Sequence, residues 1–265
     1  MYISLVTPAP RGSRAGNRAT AERWARLLRN AGHRVSVSLE GDDNADLLLA
    51  LHAWRSHEVV RRFRERHSDR PIVLALTGTD IYRFQYSHPE ATHESMALAD
   101  ALIGLHERVA DDLPDSCHDR LSTVLQSAEQ PPGRGEPLKR SFEVVVIGHL
   151  REEKDALRAA RAARELPASS RVRVVQLGRA HDESWRISAE QEMADNARYH
   201  WCGEVPRWRV RRIMARARLM VMSSVMEGGA NVVSEACVAG LPVIASDIPG
   251  NVGLLGPDYP GYNPE

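Results

Sequence analysis

The sequence predicts an α/β protein built from two doubly wound halves. Three observations carry this expectation. Short Leu-rich and β-branched runs alternate with helix-period segments up to Leu125; the alternation breaks over a Pro- and Gly-rich stretch; it then resumes from Glu143 to Ala245. Nearly continuous apolar strands separated by helices form parallel sheets covered on both faces.

In the first half the strands fall at 2–7, 34–39, 47–52, 72–77, 101–105 and 122–125, with helices over 19–30 and 56–67. Residues 127–141 hold Pro131, Pro132, Gly133, Gly135 and Pro137 and read as a linker. In the second half, strands fall at 143–147, 172–177, 219–222 and 243–245, and helices at 156–166, 188–196, 208–217 and 232–239. Two domains follow, 1–128 and 142–265, around a 129–141 linker. The last ten residues, 256–265, read as a loop with no closing helix. The second domain is therefore expected to be incomplete at its C-terminus, with an uncovered apolar edge.

Composition narrows the function. The 265 residues carry 35 basic and 35 acidic side chains, so no net field draws the chain to nucleic acid. Lys139 and Lys154 are the only lysines among many arginines. Cys117, Cys202 and Cys237 are far apart and form no C-x-x-C, which suits a reduced, cytoplasmic protein. The apolar run at 2–6 is too short for a signal-peptide core, and no run approaches the roughly 18 residues of a membrane span.

The segment EGGANVVSEACVAGLPVIAS opens at Glu227. A strand leads into Gly228 and Gly229, Asn231 is a suitable N-cap, and Gly240 ends the helix before Pro242. Small residues let an anion reach the free N–H groups at the helix start. Glu235, expected in the first turn, and Glu227 offer two carboxylates for ribose and sugar hydroxyls. The same pattern also suits an ordinary capped helix with two surface glutamates.

In the first half, Gly12 and Gly16 permit close approach to a helix start where Asn17 is the expected N-cap. Arg11, Arg14 and Arg18 surround it, as a site for a small phosphate-like anion or simply as a solvated basic loop. The segment is not G-x-G-x-x-G, so a nicotinamide cofactor is not expected. Thr77, Thr79 and Asp80 end a central strand, and His52 and His106 end others, on the rim where open α/β sheets bind ligands. The acidic stretch at 40–46 lies at the opposite end of its strand and reads as a solvated loop. No His or Cys spacing suggests a metal site.

E-x7-E followed by A-G-x-P-V resembles the donor motif of family 4 glycosyltransferases, which have the GT-B architecture: two Rossmann-like domains facing across a cleft. GHLREEKD, from Gly148, is similar to the family loop whose basic residues grip the donor diphosphate. Lys154 falls on the family lysine; His149 stands where arginine is usual, with Arg151 two residues on. HWCGEVP resembles the segment whose backbone reads the nucleobase near Val205. The resemblance implies catalytic roles for Lys154, Arg151 and Glu227. It implies donor contacts at Gly148, His149, Val205, Gly228, Gly229, Ala230, Asn231, Val232 and Glu235. The family's Pro-Asn-Gly turn between domains is replaced by Leu125, Gln126, Ser127 and Ala128, so the hinge is expected to differ.

TPAPRGSRAGNRATAERWARLL, LALTGTDIY, VIGHLREEKD and EGGANVVSEA together resemble the selenosugar synthases of selenoneine biosynthesis. That resemblance implies transfer of N-acetylglucosamine from its UDP donor to selenophosphate, giving a 1-selenosugar. Acceptor contacts would come from Arg11, Arg14, Gly16, Asn17, Arg18, His52, Thr77, Thr79, Asp80 and His106. The expected partners are UDP-sugar and selenophosphate, with no further cofactor, no metal, no nucleic acid and no membrane. The rivals are a sugar transferase acting on a hydroxyl group and a non-catalytic nucleotide-sugar-binding module.

Overall fold

A computed structural model describes residues 1–131, 133 and 135–263; Pro132 of the expected linker, Arg134, Pro264 and the terminal Glu265 lie outside the described residues. The chain forms two compact units. The first comprises Met1–Gln126 with the short segments Glu227–Asn231 and Val252–Leu254; the second comprises Ser127–Met226, Val232–Asn251 and Leu255–Glu265.

The first unit contains β1 (Tyr2–Val6), α1 (Gly16–Asn30), β2 (Arg34–Ser38), β3 (Leu47–Leu51), α2 (His57–Arg66), β4 (Ile72–Ala75), the single turn α3 (Gln85–Ser87), α4 (Pro89–Leu98), β5 (Ala101–Gly104) and β6 (Leu121–Thr123). The sheet order is β2-β1-β3-β4-β5-β6, and every pairing is parallel. Parallel strands need covered faces, and the strands are apolar enough to provide them. Leu48, Leu74 and Leu102 pack with Phe63 of α2 and Met96 of α4 on one face. Leu5, Leu49 and Ala75 pack with Ala21, Trp24 and Ala25 of α1 on the other.

The second unit contains β7 (Phe142–Ile147), α5 (Arg158–Arg164), β8 (Val172–Leu177), α6 (Glu183–Asp195), β9 (Tyr199–Trp201), α7 (Arg207–Arg216), β10 (Leu219–Met222), α8 (Asn231–Val238), β11 (Val243–Ser246), α9 (Pro249–Leu255) and β12 (Tyr262–Asn263). Its order is β12-β11-β10-β7-β8-β9, again all parallel. Val144, Val146 and Val174 pack against Leu157, Ala160 and Ala163, next to Ala189 of α6.

The structure corrects the expected elements in four places. Strands of the first unit stop before Thr7, His52, Thr77 and Leu105; His52 takes a left-handed φ of 78°, which turns the chain out of β3. Helix α1 begins at Gly16 with Ala15 as its N-cap, so Asn17 lies inside the helix. Helix α8 begins at Asn231 itself, which is its first helical residue. The 256–265 stretch is not all loop. Ala245 N–H donates to Gly261 O at 2.9 Å, and Tyr259 Oη bonds both the N–H and the carbonyl of Val243, which sets β12 beside β11. On β11 itself, Ile244 stays 39 % exposed, an apolar position of this sheet that is left open.

One polar knot ties α5 to α6. Glu192, 5 % exposed, accepts from Arg164 Nε (2.9 Å) and Nη2 (2.6 Å), and from Asn196 Nδ2 (2.8 Å). Charge-assisted bonds of this kind contribute about 1.5–3 kcal/mol. Glu192→Ala is expected to lower unfolding free energy by about 2 kcal/mol in urea titrations, with the m-value unchanged.

Candidate functional site

Ligands of doubly wound sheets bind beyond the carboxyl ends of the strands, where the strand order reverses. In the second unit that point lies between β7 and β10. The two connections leaving it are residues 148–157, after β7, and 223–230, after β10. The first carries Gly148, His149, Arg151 and Lys154; the second carries Glu227, Gly228, Gly229 and Ala230 and leads to Asn231 and Val232.

The two connections are bonded together. Ser223 Oγ donates toward Lys154 O (3.2 Å) and Asp155 O (3.0 Å), and Val225 N–H donates to Glu153 O at 3.0 Å. Asp155 adopts φ 38°, which turns these carbonyls toward β10, and its carboxylate accepts from Arg158 Nε. The stem of Lys154 lies over Gly148, within 3.6 Å of where a side chain there would begin. Arg151 Nε is buried without a hydrogen bond among the described residues, 3.7 Å from the Glu153 carboxylate.

Two bonds hold the loop from the β8–β9 side and a third fixes the Gly178 turn behind it; sequence reasoning missed Gln176, Arg179 and Trp201, which donate them. Gln176 Nε2 donates to Gly148 O at 3.3 Å, Trp201 Nε1 donates to Gly178 O at 2.7 Å, and Arg179 N–H donates to His149 Nδ1 at 3.2 Å. Gly178 has φ 145°, and a Cβ there would meet Gly148 O at 2.0 Å. The signal available in sequence was a glycine directly after a strand. Burial, then the cations Arg179, Arg151 and Lys154, push the His149 imidazole below its ordinary pKa, with Glu204 opposing them. His149 is therefore neutral near pH 7, and the positive charge of the loop comes from Arg151 and Lys154.

Glu235 is the fifth residue of α8, one residue further in than expected. It accepts from Arg207 Nη2 at 3.0 Å, which joins α8 to the start of α7, two residues after the buried Val205. The glutamate and the Val205 segment, far apart in sequence, are thus brought together.

The rim of the first unit is arranged differently. Asp80 is fully buried, and its carboxylate accepts from the N–H groups of Thr77, Gly78 and Ala53 at 2.7–3.0 Å. Arg55 N–H donates to His52 Nδ1 (3.2 Å), so the neutral ring carries its proton on Nε2 and donates it to Thr79 Oγ1 at 2.9 Å. These bonds use Asp80 and His52 inside the fold, where a solvent-facing acceptor contact was expected. His106 follows the same pattern: Arg108 N–H donates to Nδ1 (3.2 Å), and Nε2–H donates to Tyr82 Oη (2.9 Å). Burial and the Arg108 charge push His106 down to about 4. Arg11 and Arg18 line a groove along α1, whereas Arg14 is exposed outside it. The acidic 40–46 loop braces the start of β1, with Asp46 Oδ2 accepting from Tyr2 N–H at 2.7 Å.

Comparison with known proteins decides the family. Residues 131–263 match the family described as "Glycosyl transferases group 1". The chain belongs to the group 1 glycosyl transferases. Its fold is that of GT-B enzymes. HepE of Anabaena, solved with UDP-glucose, aligns with a TM-score of 0.72 at 15 % identity, covering 95 % of this chain and 82 % of HepE. The lipopolysaccharide outer core galactosyltransferase WaaB aligns with a TM-score of 0.64 at 13 % identity, covering 93 % and 81 %. TarM of S. aureus, solved with UDP, aligns with a TM-score of 0.64 at 13 % identity, covering 83 % of this chain and 45 % of TarM. No curated protein sequence matches the chain. Among the described residues no helix is long and apolar enough to cross a membrane, and no three His, Cys, Asp or Glu side chains are grouped to share a metal ion.

Two outcomes follow for this group 1 glycosyl transferase. Gly178→Ala puts a Cβ 2.0 Å from Gly148 O at a φ of 145° and forces the Gly148 loop to move; it is expected to lower unfolding free energy by about 1–3 kcal/mol in urea titrations, while Gln176→Leu acts in the same direction more weakly. The depressed His106 pKa sets a pH dependence. The unfolded imidazole titrates near about 6.5, so between there and about 4 the unfolded state binds the extra proton. This contribution to stability is complete above pH ~6.5 and declines on acidification to pH ~4, by up to about 3 kcal/mol. Urea titrations at stepped pH are expected to show a shallower acid decline in His106→Gln than in the parent.

Proposed function

We propose that this glycosyltransferase takes a UDP-sugar, N-acetylglucosamine being the sugar, and transfers it to selenophosphate to form a 1-selenosugar. The observation that carries the donor half is the bonding of the 148–155 loop to the exit of β10 at the switch point of the second sheet, with an unspent buried donor on Arg151. An oxyanion is the ligand such a loop suits best. Structural relatives solved with UDP and UDP-glucose support a uridine diphosphate donor.

In this proposal residues 142–265 hold the donor and residues 1–128 the acceptor. Lys154, Arg151 and the N–H groups after Gly228 stabilise charge developing on the leaving diphosphate. Val205 and Glu235 bind the nucleoside, and Glu227 the sugar. A selenium lone pair forms the C1–Se bond as the C1–O bond breaks, UDP leaves with that electron pair, and water then cleaves the Se–P bond to release orthophosphate and the 1-selenosugar. The acceptor is already anionic, so no general base is required, in contrast to an alcohol. Counter-charge comes from Arg14 and from the α1 N-terminus at Gly16 and Asn17, beside Thr77 and Thr79. Side-chain cations rather than a metal ion neutralise the diphosphate. Free cysteines fit a reducing, cytoplasmic setting. The resemblance of the α1, Thr77–Asp80, Lys154 and Glu227 segments to selenosugar synthases supports selenium as the nucleophile.

The test is UDP release from UDP-N-acetylglucosamine with and without selenophosphate, with mass analysis of the product. Release is expected to need selenophosphate, to persist in EDTA, and to give a selenosugar. Glu235→Ala is expected to weaken UDP affinity by about 10- to 100-fold, the loss of charge-assisted bonds. Release driven instead by a hydroxyl acceptor moves the chain to conventional glycosylation, and absence of UDP binding overturns the donor assignment altogether.

A further inference from the structure

A groove of about 340 Å³ runs along the outer flank of α1 beside β2, the edge strand of the first sheet, lined by Arg11, Arg18, Glu22, Ala25, Arg29 and Val37. Four of these, at 18, 22, 25 and 29, recur at helical spacing and form one stripe of α1. Three guanidinium groups share the groove with a single carboxylate.

The arginines are held but not used up. Arg18 is 7 % exposed, yet its side chain makes one hydrogen bond among the described residues, from Nε to Glu22 Oε1 at 2.7 Å. Arg29 likewise makes one, from Nη2 to Val35 O at 2.7 Å. Each guanidinium has five N–H donors, so four on each are unspent. The unbonded nitrogens of Arg18 and Arg29 are not enclosed by protein, so these donors remain open to a ligand in the groove. Arg11, exposed at the groove mouth, has no ion-pair partner among the described residues. Guanidinium groups held in place by a first bond are suited to forked bonds with oxyanions through their remaining donors.

We propose that this groove is a binding site for an oligophosphate or doubly phosphorylated ligand, one anionic group lying on Arg18 and Arg11 and a second reaching Arg29. The helix places Arg18 and Arg29 about 16 Å apart at their Cα atoms, with Ala25 and Val37 as an apolar floor between them. A single phosphate satisfies one end only. Glu22 orients Arg18 and also opposes the anion, which keeps affinity moderate and makes charge removal there a gain. The site is separate from the donor loop and does not depend on the transfer reaction proposed above.

The experiment titrates sodium tripolyphosphate and orthophosphate separately into the full chain by calorimetry. Tripolyphosphate is expected to bind at least about tenfold more tightly than orthophosphate, since a second charge-assisted contact is worth more than about 1.4 kcal/mol. Arg29→Gln is expected to erase that advantage and leave orthophosphate unchanged. Arg18→Gln is expected to weaken both, and Glu22→Gln to strengthen both several-fold. Lys154→Ala is expected to leave tripolyphosphate binding at the groove intact, which keeps the result distinguishable from a failure of the donor assignment. Circular dichroism of each variant verifies folding; Arg11→Ala, on the exposed mouth, provides a loss-of-affinity arm if Arg18→Gln unfolds. Absence of tripolyphosphate binding, indifference to Arg29→Gln, or loss with Lys154→Ala but not with the groove variants overturns the assignment.

Discussion

Parallel pairing governs this molecule. When every strand of a sheet points the same way, every strand-to-helix connection that can meet a ligand emerges along one rim, and the helices must return along the faces. Each sheet here is parallel throughout and reverses its order once, after β1 in the first and after β7 in the second. The reversal leaves a gap between two diverging connections; in the second unit these are the loop carrying Gly148, Arg151 and Lys154 and the exit of β10 at Ser223 through Met226. The placement of this loop is thus a product of topology first and side-chain identity second.

The two rims use polar residues for opposite ends. In the second unit, charged groups remain near the surface, and the bonds that fix the loop come from neutral partners: Gln176, Trp201 and a neutral His149. In the first unit the polar groups turn inward. Asp80 satisfies three backbone N–H groups, and His52 and His106 each accept a backbone N–H on Nδ1. Buried N–H groups must find acceptors, and a rim of tight turns has many of them. These side chains stiffen the loops beside them.

Much of the architecture was legible because apolar strands and helix periodicity are local signals. Most strands of both sheets were read to within two residues. The missed elements lack such a signal, each for its own reason. Strand β9 has three residues with His200 at its centre, too short for periodicity to register. Helix α4 is polar along most of its length and is held by packing against α2 and β4. Helix α9 opens with Pro249 and Gly250 and contains Gly253, all residues that argue against helix. In the second unit, sequence singled out Lys154 and Glu235, which lie on the connection after β7 and in α8, but the Gly178 and Trp201 supports depend on contacts between neighbouring strands that no local pattern encodes. In the first unit, sequence found the rim residues His52 and Asp80 without revealing that their polar atoms are spent inside.

The bonds behind the Gly148 loop have a consequence for how a ligand of that loop is chosen. They fix the loop from the side opposite its cations, so the ordering cost is met during folding rather than on ligand arrival. A pocket that is already set does not mould itself to what enters. A ligand of the wrong shape meets the same rigid frame as the right one, and leaves quickly because nothing reorganises to retain it. Selection at such a loop resides in residence time rather than in rate of entry, and the indole of Trp201 contributes at one remove, by holding Gly178 O behind the Gly148 loop.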